Sequence, residues 1–296
     1  MTGKAITWID GAWVDGNPPL LGPMTHAVWM ASVVFDGARA FRRLAPDLDR
    51  HCARVVRSAR IMGLAPTLDA ARIEEIAWEG IERFPPEAEL YIRPVFYSEE
   101  GFVVAVPEST RFFLSVFEAP LPPPRGLKVC LSPYRRPSPD MAPTLAKTAC
   151  LYPNSARALR EVRADGYDTA VMLDGLSNVA ELATANLFMV KDGVVSTPAA
   201  NGTFLDGITR ERIIELLRDD GMTVLERTIR YQELVEADEL FATGNYSKVM
   251  PIARLDDRAL QPGSVAQRAR ELYFAFAERA GGRRRQADTR GVAFTG

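Results

Sequence analysis

Lys147 stands in the stretch LAKTACLYPNS, residues 145 to 155, among Leu145, Ala146, Ala149, Cys150 and Leu151, with Tyr152 five positions on. No carboxylate adjoins it. A lysine in such company most often buries its methylene stem and lets its ammonium reach water. A desolvated lysine behaves differently: its pKa falls, and it becomes a candidate amine nucleophile for Schiff-base chemistry. On these residues alone the first reading is favoured, and the second needs partners elsewhere in the chain.

Four further segments offer such partners. In NVAELATANLF, residues 178 to 188, Glu181 is the one acid. A lone acid there is usually a solvated strand-end residue, and a buried one needs a cation or hydrogen-bond donor. FLDGITRERIIELL, residues 204 to 217, puts Gly207 just before a helix with a core stripe at Ile213, Ile214, Leu216 and Leu217. A helix start of this kind presents free N–H groups to an anion such as phosphate, although many begin so with nothing bound. FATGNYSKVMP has a Thr-Gly-Asn turn after an apolar strand, which could cradle an anion or be ordinary turn chemistry. LYIRP alternates, so Tyr91 and Arg93 leave one strand face while Leu90 and Ile92 leave the other. Arg93 is then either a sheet-surface charge or a fork for a carboxylate.

The elements that position these residues fall into two parts. APLPPPRGL, residues 119 to 127, has three consecutive prolines and reads as a semi-rigid linker. It separates a smaller part, residues 1 to 118, from a larger one, residues 128 to 296. Before it, ITWIDGAWV predicts a hairpin turning at Asp10-Gly11. Apolar residues at 52, 55, 56, 59 and 62 predict a helix over 49 to 62. LYIRPVFYS and TRFFLSVFEA are β-rich. After it, LKVCLSP, DTAVMLDG and TVLERTI read as strands, and NLFMVKDGVVSTP as a hairpin turning at Asp192-Gly193. Helices are expected at about 154 to 165, 209 to 219 and 264 to 279. The basic end from about 281 has no periodicity and reads as a frayed, flexible tail. The mixture predicts two α+β domains with a site between them.

Bulk composition excludes several classes. The 296 residues are 47% hydrophobic and 25% charged, with a net charge of -2, ordinary for a globular protein and no argument for nucleic acid. Three scattered cysteines suggest neither a disulfide framework nor zinc, and two histidines cannot make a histidine-rich metal site. No metal is expected. The N-terminus lacks a signal-peptide core and no stretch would span a bilayer, so a cytoplasmic protein is expected.

Taken in order, FDGARAF (35 to 41), DRHCARVVRSA (49 to 59), YIRP, AKTACLY, NVAELATANLF and LDGITRERI resemble the fold-type IV pyridoxal-phosphate enzymes, or class IV aminotransferases. Branched-chain amino acid aminotransferases are the nearest branch, and the resemblance runs from about residue 5 to about residue 260. It implies the two-domain, D-amino acid aminotransferase-like architecture with pyridoxal 5'-phosphate between the domains. It also implies roles. Lys147 matches the Schiff-base lysine and proton shuttle, Glu181 the acid on the pyridine nitrogen, and Tyr152 the tyrosine on the phenolic oxygen. Arg54 matches a phosphate-binding arginine, a choice over Arg50 or Arg57 that helical spacing does not make. Ile208 and Thr209 match the phosphate-binding helix start, and Asn245 stands where relatives often have a phosphate-binding threonine. Phe35, Arg39, Tyr91 and Arg93 match positions lining the substrate pocket.

Two departures affect that pocket. Gly244-Asn245-Tyr246 replaces the usual Gly-Thr-Ala, where backbone N–H groups meet the substrate carboxylate. Trp29-Met30-Ala31 replaces a usual Tyr-Gly pair, so Met30 alters a pocket wall. The resemblance implies transfer of an amino group from an aliphatic L-amino acid to 2-oxoglutarate by a ping-pong route, in a homodimer or higher homo-oligomer. The alternatives are an (R)-selective amine or D-amino acid aminotransferase, then a lyase of the aminodeoxychorismate type. A binding or scaffold protein that keeps the fold is less favoured, because the cofactor's residues are present.

Overall fold

A computed structural model describes residues 3–261 and 263–283. The expected tail, residues 284–296, lies outside the described residues.

The first sheet holds β1 (Ala5–Ile9), β2 (Ala12–Asp15), β3 (Val33–Phe35), β4 (Ala38–Ala40), β5 (Leu90–Ser98) and β6 (Thr110–Glu118) in the order β2-β1-β6-β5-β3, with β4 also on β5. The β1–β2 hairpin turns at Asp10-Gly11 as expected, both residues taking positive φ (47° and 89°), as a two-residue turn matched to strand twist requires. Pro94 explains why β3 and β4 are separate strands. Its carbonyl accepts from Asp36 N at 3.0 Å, but it has no N–H to return. The ladder is interrupted at Asp36-Gly37 and resumes in the same register, with Ala38 opposite Ile92.

Two helices, α2 (Leu48–Ile61) and α3 (Ala70–Glu82), cover this sheet; the short α1 (His26–Met30) precedes β3. The apolar stripe of α2 buries Cys52, Val55, Val56 and Ala59 against Ile73, Ile76, Ala77 and Ile81 of α3 and Leu90, Ile92 and Leu114 of the sheet. The sequence reading did not anticipate α3. Its signals are the Asp69 cap, which accepts from Arg72 N at 2.8 Å, and apolar residues three and four apart.

Residues 119–126 lead to the second, curled sheet. It holds β7 (Leu127–Arg135), β8 (Thr169–Leu173), β9 (Val179–Leu182), β10 (Asn186–Lys191), β11 (Val194–Pro198), β12 (Val224–Arg227), β13 (Glu239–Gly244) and β14 (Lys248–Leu255), ordered β12-β11-β10-β13-β14-β7-β8-β9, with β15 (Arg258–Ala259) on β14. The β10–β11 hairpin turns at Asp192-Gly193 with φ of 49° and 76°. One sheet face packs with α6 (Tyr231–Val235) over Val129, Val171, Leu187 and Ile252. Against another lie α5 (Ile208–Asp219) and α7 (Ser264–Ala280), burying Phe188, Phe241, Ile213, Leu217 and Tyr273. α4 (Tyr152–Ala164) begins at Tyr152, two residues before the expected start. Among the described residues no helix is long and apolar enough to cross a membrane.

Candidate active site

Both parts of the chain wall one cavity of about 320 Å³, within the usual range for a small-molecule site. Phe35, Arg54 and Tyr91 line it from the first part; Lys147, Tyr152, Glu181, Ile208, Thr209, Gly244, Asn245 and Tyr246 line it from the second.

Lys147 sits on a loop tied to the other part by its backbone. Its N–H donates to Ser58 Oγ at 3.0 Å, its carbonyl accepts from Phe35 N at 3.0 Å, and Thr148 Oγ1 donates to Val33 O at 3.0 Å. The side chain is half-buried and its Nζ lies 2.8 Å from Tyr152 Oη. The rings of Phe35 and Tyr152, with centroids 5.1 Å apart, stand 5.2 and 5.5 Å from Nζ. The pKa expected to fall does not. Burial lowers it and so does Arg54, but the Tyr152 phenol and the Asp36 charge raise it, leaving the amine above its ordinary value. Tyr152 is the reason: placed one turn on, it supplies an oxygen partner inside the apolar surroundings.

Glu181, on β9, is buried and has the cationic partner that a buried acid needs. Arg136 Nε lies 3.2 Å from its Oε1 and also donates to Thr203 O at 3.3 Å. Burial pushes Glu181 up to about 7 despite Arg136 and Lys147. Desolvation outweighs a single ion pair here. Arg136 is a site residue the sequence reading missed.

Another wall is built for an anion. Gly207 precedes α5, and Ile208 and Thr209 are its buried first residues. A Cβ on Gly207 would stand 2.0 Å from Asn186 Oδ1, so a side chain there would displace the Asn186 amide, which donates to Leu205 O at 3.2 Å. The helical face of α2 selects Arg54. Arg57 is exposed, and Arg50 pairs with Glu211 and Asp47. Arg54 is buried, with Nε 2.7 Å from Asp36 Oδ2, Nη2 2.9 Å from Asp36 Oδ1 and Nη1 3.2 Å from Asp206 O. Asp36 Oδ1 also lies 2.7 Å from His51 Nδ1. Burial raises the Asp36 pKa, but Arg54 and His51 hold it well below the carboxylate range; burial lowers that of His51. The sequence reading gave Asp36 no role, although His51 and Arg54, three apart on a helix, point the same way.

The residues expected at the substrate divide. Phe35, Tyr91, Gly244, Asn245 and Tyr246 line the cavity; Met30, Arg39 and Arg93 do not. Tyr91 stacks on Phe117 with centroids 5.3 Å apart, and its phenol fills the space of a Gly37 side chain, 2.0 Å from a Cβ there. Leu90 and Ile92 face the core as the alternation requires. Arg93 leaves the Tyr91 face, but its guanidinium lies over Phe117 at 5.3 Å. Arg39 is fully buried between the rings of Tyr91 and Tyr246, at 5.9 and 5.7 Å. Its Nη2 donates to Ala119 O at 2.5 Å, while Nε and Nη1 have no partner. Met30 is exposed at the end of α1. Thr243 Oγ1 and Asn245 Nδ2 are also buried and lack a partner in full hydrogen-bonding geometry among the described residues.

This donor set fits pyridoxal phosphate. One amine can meet an aldehyde, one carboxyl can titrate near neutrality opposite a ring nitrogen, and a guanidinium with a glycine-led helix start can take a phosphate.

Comparison with known proteins agrees. Residues 33–255 match the family model for amino-transferase class IV. The branched-chain-amino-acid aminotransferase of Pseudomonas aeruginosa is 32% identical over 285 residues, 91% of this chain and 92% of that one. A crystal structure of an aminotransferase from Brucella abortus bound to the cofactor PLP is 48% identical with a TM-score of 0.92, covering 93% of this chain and 99% of that chain. The T.th. branched-chain amino acid aminotransferase complexed with N-(5'-phosphopyridoxyl)-L-glutamate is 29% identical with a TM-score of 0.86, covering 93% of this chain and 94% of that chain. Fold, donor set and sequence thus converge on one assignment: the chain belongs to the class IV aminotransferases, enzymes of fold type IV that work with pyridoxal phosphate.

Proposed function

We propose that this enzyme transfers the amino group of an aliphatic, branched-chain-like L-amino acid to 2-oxoglutarate in two half-reactions that use the cavity in turn. The observation that carries the reading is the placement of Lys147 Nζ, 2.8 Å from Tyr152 Oη, in a cavity that also holds Glu181, Arg54 and the α5 start. The Pseudomonas aeruginosa relative supports a branched-chain donor, and the phosphopyridoxyl-glutamate complex of the T.th. enzyme supports glutamate as the other amino acid.

Pyridoxal phosphate, when bound, supplies an aldehyde that condenses with amines and a ring that withdraws electrons from the substrate carbon. The chain does the rest. Lys147 would be the amine that holds the aldehyde, and its Nζ would carry the proton to and from the substrate Cα. Tyr152 holds Nζ in place for that work and turns its phenol to the cofactor's phenolic oxygen. Glu181, kept in position by Arg136, would pair with the ring nitrogen and hold its proton. Arg54, locked by Asp36, grips the phosphate together with the N–H groups of Ile208 and Thr209, the Thr209 hydroxyl and Asn245. Phe35 and Tyr91 give the substrate side chain an apolar wall, and Gly244 and Tyr246 present backbone N–H groups to its carboxylate. Arg93 leaves the same face of β5 as Tyr91, outside the cavity lining, and is the residue assigned to the second carboxylate of glutamate.

Two copies pair in this reading. Trp29, Met30, Phe102, Val103 and Val104 are exposed, with the Trp29 and Phe102 rings 5.3 Å apart. An apolar cluster of this kind marks an association surface. A steady-state panel of amino donors with 2-oxoglutarate tests the proposal. Turnover of L-leucine or a similar L-amino acid is expected. Turnover of only D-alanine or (R)-1-phenylethylamine would replace it, as would pyruvate release without an acceptor.

A further inference from the structure

Lys248 opens β14 directly after the Asn245–Ser247 turn and pairs in register with Gly244. It carries two costs. Its backbone is left-handed, with φ of 64°, a strained conformation for a residue with a Cβ. Its side chain is fully buried, and no carboxylate of the described residues lies within ion-pairing distance of its ammonium.

The groups facing Lys248 come from three elements. Arg39 on β4 and His51 on α2 are basic, Asp47 at the head of α2 is acidic, and the Tyr273 ring of α7 lies 5.3 Å from Nζ. Asp47 is engaged by Arg212 and Arg50. The hydrogen bond Lys248 makes among the described residues is to Asn245 Oδ1, at 2.7 Å.

An ammonium has three donors and no acceptor. It therefore fixes which way the Asn245 amide points. Oδ1 must face Lys248, and Nδ2 must face the other way, toward the Tyr91 phenol and the cavity that both residues line. Nδ2 is buried, and among the described residues its one neighbour for a hydrogen bond is the Tyr91 phenol, short of full hydrogen-bonding geometry. We propose that Lys248 is a positioning residue: it locks the Asn245 amide with its nitrogen toward the cavity, as a donor for an anionic oxygen of the bound cofactor or substrate. A threonine at this position would need no such lock, because a hydroxyl turns to donate wherever an acceptor lies. Asparagine here and lysine three residues on form one device.

The inference rests on the reading of this cavity as the cofactor and substrate site. Its test is read in dissociation constants, so it does not depend on which amino donor the enzyme prefers. The cycle compares wild type, Lys248→Met, Asn245→Thr and the double variant. Lys248→Met removes a buried charge and keeps apolar volume, a change usually neutral or favourable to folding, and melting temperatures check this. One arm titrates the apo form with pyridoxal phosphate. The other titrates the loaded form with glutarate and with 4-methylvalerate.

Lys248→Met is expected to weaken binding about tenfold where Asn245 is present, the size of one misdirected donor to a charged group, and to change nothing when added to Asn245→Thr. The effect in the first arm assigns the amide to the phosphate, and in the second to a carboxylate. An equal loss in both backgrounds, or no loss in either arm, overturns the proposal.

Discussion

Lys147 Nζ and Tyr152 Oη lie 2.8 Å apart, across a short turn that places the tyrosine as the first residue of α4. The phenol keeps the amine inside the cavity and keeps its pKa up, against burial. Lys147 therefore serves the chemistry and not the folding.

Lys147→Ala is expected to fold with a melting temperature near that of the wild type, since only its backbone is stitched to Ser58 and Phe35. It should lose the visible absorption of lysine-bound cofactor and all transamination. Near-native turnover in this variant would remove Lys147 from the chemistry.

Glu181→Gln should keep the cofactor and turn over about 10²–10³ more slowly, the size of one removed electrostatic partner. The apo form carries a second signature. With its pKa raised from 4.5 to about 7, folded wild type binds an extra proton between those values. Its stability should therefore fall as pH rises from 4.5 to 7, by up to about 3 kcal/mol, and then level off. Glutamine cannot titrate, so apo Glu181→Gln should lack this slope in chemical denaturation. The same slope in both proteins would contradict the assigned burial of the acid.

Arg54→Ala and Thr209→Ala should weaken cofactor retention more than they slow the loaded enzyme. Arg54→Ala should be the worse, because it also leaves the buried Asp36 charge without its main partner, a loss that runs to several kcal/mol. Dialysis followed by activity with and without added cofactor measures this. A defect that added cofactor does not relieve would count against phosphate binding by Thr209.

Arg93→Ala should raise KM for 2-oxoglutarate and glutamate at least tenfold, the loss of a bidentate contact, and spare the half-reaction of an apolar donor. Arg93→Lys should not restore it, since an ammonium lacks the planar fork. Equal loss in both half-reactions would place Arg93 outside acceptor recognition and leave it a charge over Phe117.

The residues that touch one another within a few positions were legible in the sequence. Asp10-Gly11 and Asp192-Gly193 announced their hairpins because few residues take two consecutive positive φ angles. Gly207 announced the start of α5, and alternation in LYIRP put Ile92 and Tyr91 on opposite faces, which the structure shows to be core and cavity. What stayed hidden depends on pairings across the fold. Arg136 leaves the end of β7 and meets Glu181 only because β8 brings β9 beside it. Asp36 looks like a turn residue until α2 sets Arg54 and His51 against it. Lys248 looks like a solvated strand end, and only the packing of α7 and β4 shows it to be buried. The α3 helix was legible and overlooked: Asp69 and the spacing of Ile73, Ile76, Ala77 and Ile81 carry the signal in full.

Single-turnover half-reactions test the central claim most directly. Enzyme loaded with pyridoxal phosphate is mixed with L-leucine and no acceptor, then, after the donor is removed, with 2-oxoglutarate. Loss of the visible absorption is expected with one equivalent of 4-methyl-2-oxopentanoate released per site, then its recovery with one equivalent of glutamate formed. No response to any L-amino acid, with full response to D-alanine or (R)-1-phenylethylamine, would contradict it.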